Sequence, residues 1–221
     1  MIQLKSTIVR FANHITPREI DFFRGAIIEA ASMGGSVLFH NHTADGFRYK
    51  YPLIQYKILD GCAAVVGVGE GTDALHALLP FLEKNMNIGY KELPFRVMSV
   101  DDVVTNVDIT DHMLRYVLTD WMPLNQENVR LFHSTKDRRL RRQMLERILE
   151  GNIATLFDGI DYSTDKKYYC HIDEQGDIHN EMYKGVQMKT MDVAFSCNVI
   201  LPAKLGLGKG SSHGHGTIHL N

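Results

Sequence analysis

From Ile2 to Phe11 apolar and polar residues alternate loosely, the period-two pattern of a strand with one buried face. Thr16-Pro17-Arg18-Glu19 then signals a helix start, with Thr16 as N-cap, Pro17 at the first helical position and Glu19 completing a capping box. Ile20, Phe23, Ile27 and Ala30 or Ala31 recur at helical spacing, and Gly34-Gly35 supplies the stop. Ser36 to Thr43 reads as a short extended piece or a loop. Phe47 to Leu59, rich in aromatic and branched residues, predicts a strand, with Pro52 pointing to an edge or bulge. Cys62 to Val68 is a small apolar run that suits a buried central strand. From Thr72 onward Leu75, Leu78, Leu79 and Leu82 share one helical face, and Pro80 forces a kink or restart there. Phe95 to Val107 is a further strand region. The order strand, helix, strand, strand, helix, strand is the ferredoxin-like order, and it fills residues 1–108.

The second half, residues 109–221, is less regular. Strand-like pieces lie between His112 and Phe132, around Met122-Pro123. Lys136 to Phe157 predicts a helix with Leu140, Met144, Leu145, Ile148 and Leu149 inward and Gly151 as an interruption. Lys167 to Asp173 and Met188 to Leu201 read as strands. Strands around one long helix are compatible with a second, less regular copy of the first fold. The expected class is therefore α+β, with two ferredoxin-like domains of the RRM type in tandem.

Composition narrows the function classes. The chain has 221 residues, 44% hydrophobic and 23% charged, which is ordinary for a globular protein with one or two real cores. No apolar run approaches the ~20 residues of a bilayer span, and the start does not read as a secretory signal. Cys62, Cys170 and Cys197 are far apart and odd in number, so a reducing cytoplasm is expected. The net charge of -2 opposes a strongly basic nucleic-acid binder, but the distribution is uneven. Val193 to Asn221 has two lysines, three histidines and no acid, and Lys136 to Arg142 has five basic residues against one Asp. A local basic face on a nearly neutral protein can still hold a phosphate backbone.

Five glycines fall within the eleven residues Gly206 to Gly216. Such clusters let backbone N–H groups approach an anion closely. A nucleotide P-loop fails, because Ala203 stands at the first glycine position and Gly210 follows Lys209 in place of Ser or Thr. A dinucleotide loop fails because Ser211 occupies the third glycine position and no helix can follow. GLGKGSSHGHGTI instead resembles the C-terminal glycine-rich loop of the RAMP superfamily of CRISPR proteins. Gly206–Gly208 is its first Gly-x-Gly and Gly214–Gly216 its second. The stretch Leu38 to Lys57 is similar to the segment after the first helix in the repeat-RNA-processing endoribonucleases of that superfamily, the sixth Cas type. There a catalytic His usually sits. The basic helix running into Leu145 to Ile153 is similar to the second domain of one branch.

His40 and His42 are two residues apart, so in an extended segment both imidazoles point to one side. Metal-independent RNA cleavage needs one group to remove the ribose 2'-OH proton and another to protonate the departing 5'-oxygen, and histidine suits both. Arg48, Lys50 and Lys57 are nearby cations, and Tyr49 or Tyr51 can donate a hydrogen bond. The resemblance implies one catalytic His in this window. The residues offer two, so the roles of His40, His42, Tyr49 and Lys50 stay open between them. HxH can also ligate a metal, with His213, His215 or His219 as a third ligand.

The resemblance implies endonucleolytic cleavage of precursor CRISPR RNA within its repeats, giving a 2',3'-cyclic phosphate and a 5'-OH, with no metal or other cofactor. RNA contacts are expected from Gly206, Gly208, Lys209, Gly210, Ser211, Ser212, Gly214 and Gly216, and from Arg138, Arg139, Arg141 and Arg142. Repeat RNA is the implied partner, without DNA or membrane. A homodimer and a place in a larger CRISPR effector complex are both compatible with it. The alternatives are a metal-dependent hydrolase using His40 and His42, or an RNA-holding subunit without turnover.

Overall fold

The N-terminal alternation becomes strand β1, Ile2–His14, whose apolar residues Val9 and Phe11 are fully buried. The computed structural model describes residues 1–33 and 51–220, which form two units. One comprises Gln3–Thr105 with Ser212–Gly214, and the other Met1–Ile2, Asn106–Ser211 and His215–Asn221.

In the N-terminal unit the capping signals act as the sequence suggests. The Glu19 carboxylate accepts from both the Thr16 N–H and the Thr16 hydroxyl at 2.8 Å. A 3-10 turn, Pro17–Glu19, leads into helix α1, Ile20–Met33. Strands β2, Ile54–Leu59, and β3, Cys62–Val68, form a hairpin closed by Asp60-Gly61, both at positive φ. Helix α2, Glu70–Leu78, ends in a 3-10 turn across Pro80, which is the restart that the proline requires. The short strands β4, Asn85–Ile88, and β5, Lys91–Pro94, precede β6, Val97–Val107. The sheet order β2-β3-β1-β6 is that of a ferredoxin-like fold, with β3 central and antiparallel to both neighbours. The helix side is filled by an aromatic cluster. Phe11 meets Phe23 and Phe95 edge-on at 5.5 and 5.4 Å, and Phe23 meets Tyr56 edge-on at 6.1 Å. The opposite side of the sheet is also buried, at Ile8, Gln55, Lys57 and Val66.

In the C-terminal unit β7, Ile109–Leu124, is followed by helices α3, Asn128–Ser134, and α4, Arg138–Gly159. Then come β8, Cys170–Gln175, β9, His179–Tyr183, β10, Val186–Val199, and β11, Thr217–Leu220. The order β11-β7-β10-β8 repeats the ferredoxin-like order of the first unit, and β9 extends the β10 ladder. What is missing is the second helix: residues 200–216 replace it. Leu145, Leu149, Ile153, Leu156 and Phe157 form the buried stripe of α4. The same helix caps the edge strand β8, with Glu150 accepting from the Cys170 N–H at 3.2 Å and Glu146 from the Ile172 N–H at 3.1 Å.

Several expectations need correction. Leu140 is 48% exposed, because the buried stripe of α4 begins at Leu145, a turn later. Gly151 does not interrupt α4; nothing lies within 4 Å of where its β-carbon would be, and one unhindered glycine costs a long packed helix only about 1 kcal/mol. The strand expected from Phe47 begins only at Ile54 among the described residues. The β4–β5 hairpin, α3 and β9 had no counterpart in the sequence pattern. Ser36 to Thr43 and the Gly34-Gly35 stop lie outside the described residues.

Candidate functional site

The connection from β10 to β11 is stapled to its own unit. Lys204 N–H donates to Ile218 O, Ile218 N–H to Leu205 O, and Leu207 N–H to Gly216 O, each at 2.8 Å. Gly206 forms a bridge with Thr217, and Leu205 and Leu207 are fully buried. Gly216 N–H reaches the carbonyl of Asp120 at 3.2 Å, where β7 bulges and Asp120 takes a φ of 51°. The sequence that reads as a glycine-rich end is thus an ordered loop held between two strands.

Its outer arc is Gly208-Lys209-Gly210. The two glycines have φ of +84° and +75°, and the lysine between them is not in the left-handed region. Left-handed glycines on either side of an ordinary residue are the kind of backbone from which anion-binding nests are built. Among the described residues none of these three N–H groups has an acceptor. The Lys209 ammonium lies 5.9 Å from the Tyr183 ring centre and 3.6 Å from Met188 Sδ. Ser211 and Gly216 are buried, whereas Ser212 and Gly214 are partly exposed.

Ser212–Gly214 belong to the N-terminal unit. Ser212 O accepts from Tyr56 N–H at 3.2 Å, and His213 makes a parallel bridge with Tyr56. His213 is buried, with Ser212 Oγ 2.8 Å from Nδ1 and Asp21 Oδ1 3.6 Å from Nε2. Asp21 is too distant along the chain for any local sequence pattern to pair it with His213. His215 sits edge-on to Tyr183 at 5.7 Å, and its Nε2 is 3.9 Å from Glu181. His219 meets Thr119 and Lys204, each at 3.2 Å. No three His, Cys, Asp or Glu among the described residues could hold a metal together.

The arginines of α4 divide. Asp137 caps the helix by accepting from Arg139 N–H at 2.8 Å. Arg138, Arg139 and Arg142 are exposed. Arg141 is not, because its guanidinium bonds the carbonyls of Thr135 and His133 and lies over the Phe132 ring at 5.4 Å. That side chain joins α3 to α4 and is occupied by this task. Within the first turn the only charges are arginines, and the N-cap carboxylate of Asp137 already takes up part of the positive end of the helix dipole.

His40, His42, Arg48, Tyr49 and Lys50 lie outside the described residues. Of the cations expected near them, Lys57 is described. It projects from β2 opposite Ala64, away from the helices, and is completely buried. Burial pushes its pKa down to about 7.

Family comparison bears on both units. The Cas6b N-terminal domain matches residues 2–103, and the Cas6b C-terminal domain matches residues 108–220. The chain belongs to the Cas6b family. A crystal structure of a Cas6b superposes with a TM-score of 0.87 at 27% identity, covering 100% of both chains. Two further structures share the fold. A Cas6b described as a CRISPR RNA processing endoribonuclease has a TM-score of 0.76 at 24% identity, over 100% of both chains. The type IV Cas6 crRNA endonuclease Csf5 has a TM-score of 0.62 at 12% identity, over 98% of this chain and 99% of that one. An uncharacterised protein of Methanocaldococcus jannaschii is 29% identical over 111 residues, 50% of this chain and 74% of that protein.

Two predictions follow from the Cas6b geometry. A β-carbon at Gly216 would lie 2.1 Å from the Leu207 carbonyl oxygen, at a φ of +61°, whereas one at Gly214, φ +93°, meets nothing closer than 3.8 Å. Gly214→Ala should therefore cost only the backbone strain, about 1–2 kcal/mol, and Gly216→Ala clearly more, in chemical denaturation. Equal losses would show that the loop relaxes around residue 216. For Lys57, the folded pKa lies below the unfolded one, so the unfolded chain holds more protons between them. Stability should rise from about pH 7 toward pH 10, by up to about 4 kcal/mol from this group, and be lost as pH falls through 7. Denaturation midpoints of Lys57→Met should lack that part of the slope; an unchanged slope would mean an ordinary lysine.

Proposed function

We propose that this chain cuts precursor CRISPR RNA within its repeats, without a metal, by attack of a ribose 2'-oxygen on the adjacent phosphorus. The reading is carried by the match of both halves of the chain to Cas6b domains, and supported by the glycine loop between β10 and β11, where among the described residues the N–H groups of Gly208, Lys209 and Gly210 have no acceptor. The arc and Lys209 take an RNA phosphate. Arg138, Arg139 and Arg142 take others through their exposed guanidinium groups. Arg141 is withdrawn from the RNA-contacting set by its structural bonds, and Ser211 by its burial.

Chemistry is assigned to the window that holds His40 and His42. One imidazole removes the 2'-OH proton, the 2'-oxygen forms a bond to phosphorus, and the 5'-oxygen leaves with a proton from the other. The products are a 2',3'-cyclic phosphate and a 5'-OH. Tyr49, Lys50 and Lys57 are the candidates for stabilising the crowded phosphate or for replacing one imidazole as proton carrier.

Single-turnover cleavage of repeat RNA tests this. EDTA should leave the rate unchanged, and a 2'-deoxy nucleotide at the cut site should stop cleavage while binding persists. His40→Ala and His42→Ala should each slow cutting ~10²–10⁴-fold if both transfer protons, and the double variant should cost less than the product. Activity lost in EDTA and restored by Zn2+ would establish a metal-dependent hydrolase instead. Tight binding with no cutting by the unaltered chain would make it an RNA-holding subunit.

A further inference from the structure

We infer that Tyr183 is a stacking platform for one RNA base, set beside the glycine loop so that it takes the base of the nucleotide next to the phosphate on the arc. The inference rests on the reading of that loop as an RNA-binding element. It deepens that reading by adding a residue from another element, the β9–β10 hairpin.

Strands β9 and β10 are joined by Lys184-Gly185, with φ of 50° and 76°, the two left-handed residues that a tight hairpin turn requires. Tyr183 pairs with Val186 at the base of this turn, and Glu181 pairs with Met188. Residues two apart on a strand share a side, and so do cross-strand partners, so Glu181, Tyr183 and Met188 face one way. The glycine loop meets that side at two points. Lys209 Nζ lies 3.6 Å from Met188 Sδ and 5.9 Å from the Tyr183 ring centre, so one lysine side chain spans from the arc to the ring. His215 makes the second contact. Its N–H donates to Gly210 O at 3.2 Å, and its ring meets Tyr183 edge-on at 5.7 Å. A β-carbon on Gly210 would lie 2.7 Å from His215 Cδ2, so the glycine that turns the arc also lets the imidazole sit between arc and ring. The position of the ring relative to the arc is thereby set.

The surroundings of the ring select its occupant. Tyr183 is partly exposed, and Lys184 and Lys209 are exposed. The Lys184 ammonium lies 5.4 Å from the ring centre, so both lysines hold a cation over the aromatic ring. Such long, solvated side chains swing aside for a base, and their charges then meet the phosphates that flank it. Any base stacks on an aromatic face, because every base has a π-face of its own. The acid of β9 on this side is Glu181, whose carboxylate is 3.9 Å from His215 Nε2. A carboxylate repels a phosphate but accepts from the amino group of a base edge. The ring therefore takes the base and the arc its phosphate.

The test is binding of the full chain to the repeat RNA of the host's own CRISPR array, made uncleavable by a 2'-deoxy nucleotide at the cut site. Fluorescence anisotropy is read over a series of salt concentrations. Tyr183→Ala should weaken binding roughly five- to 150-fold, the usual worth of one stacked base. Tyr183→Leu, which keeps an apolar side chain without a π-face, should lose most of the same factor, and Tyr183→Phe should bind as the unaltered chain does. Neither Tyr183→Ala nor Tyr183→Leu should alter the salt dependence, whereas Lys209→Ala should reduce it by about one phosphate contact. Removing the base at one repeat nucleotide should weaken the unaltered chain and cost Tyr183→Leu nothing further. Wild-type affinity in Tyr183→Leu, or no abasic position coupled to residue 183, would overturn the stacking role. A salt dependence lowered in Tyr183→Leu as in Lys209→Ala would also overturn it, by reducing the ring to a support for the lysine. Equal losses in Tyr183→Phe and Tyr183→Leu would assign the effect to the hydroxyl instead. If Lys209→Ala changes neither affinity nor salt dependence, it is the phosphate reading of the loop that fails.

Discussion

The carbonyl of Leu207 and the backbone of Gly216 cannot both stay where they are if residue 216 carries a β-carbon. That close approach lets the chain leave β10, turn through the loop and come back as β11 beside β7. Without it the fourth strand of the C-terminal sheet has no route home, since no helix carries the connection. The element that completes the fold is therefore the one that displays N–H donors, and glycine serves both ends. At Gly216 it permits contact, and at Gly208 and Gly210 it permits the left-handed turns of the nest.

Charge is arranged with the same economy. A chain of net charge -2 cannot attract RNA over its whole surface. Arginines crowd the start of α4, where the Asp137 cap is the neighbouring acid, and Glu146 and Glu150 face β8 and act as acceptors for its edge N–H groups. The exposed Arg138, Arg139 and Arg142 leave that end locally basic. Arg141 shows that sequence density of arginine overstates the number available, because one of the four is spent on joining α3 to α4.

Much of this was legible from local pattern. The Thr16–Glu19 cap, the β3 core run and the restart at Pro80 depend on near neighbours, and each is found as expected. The glycine spacing identified the loop because backbone conformation leaves its mark directly on residue choice. What escaped depends on partners far apart in the chain. Leu140 fits a helical stripe that the core never meets, and α3 lacks a strong apolar period of its own. His213 lies beside Asp21 and the backbone of Tyr56, both far from it in sequence, and Lys57 is buried on the side of its sheet away from the helices. Neither environment can be read from the residues on either side.

The central claim is that the arc Gly208-Lys209-Gly210 receives RNA phosphate through its backbone. Amide hydrogen exchange of the full chain, followed by mass spectrometry with and without uncleavable repeat RNA, addresses those N–H groups directly. The account predicts fast exchange of the Gly208–Gly210 amides in the free protein and strong protection when RNA is bound. Exchange there that is unchanged by saturating RNA, with protection confined to other segments, would contradict it.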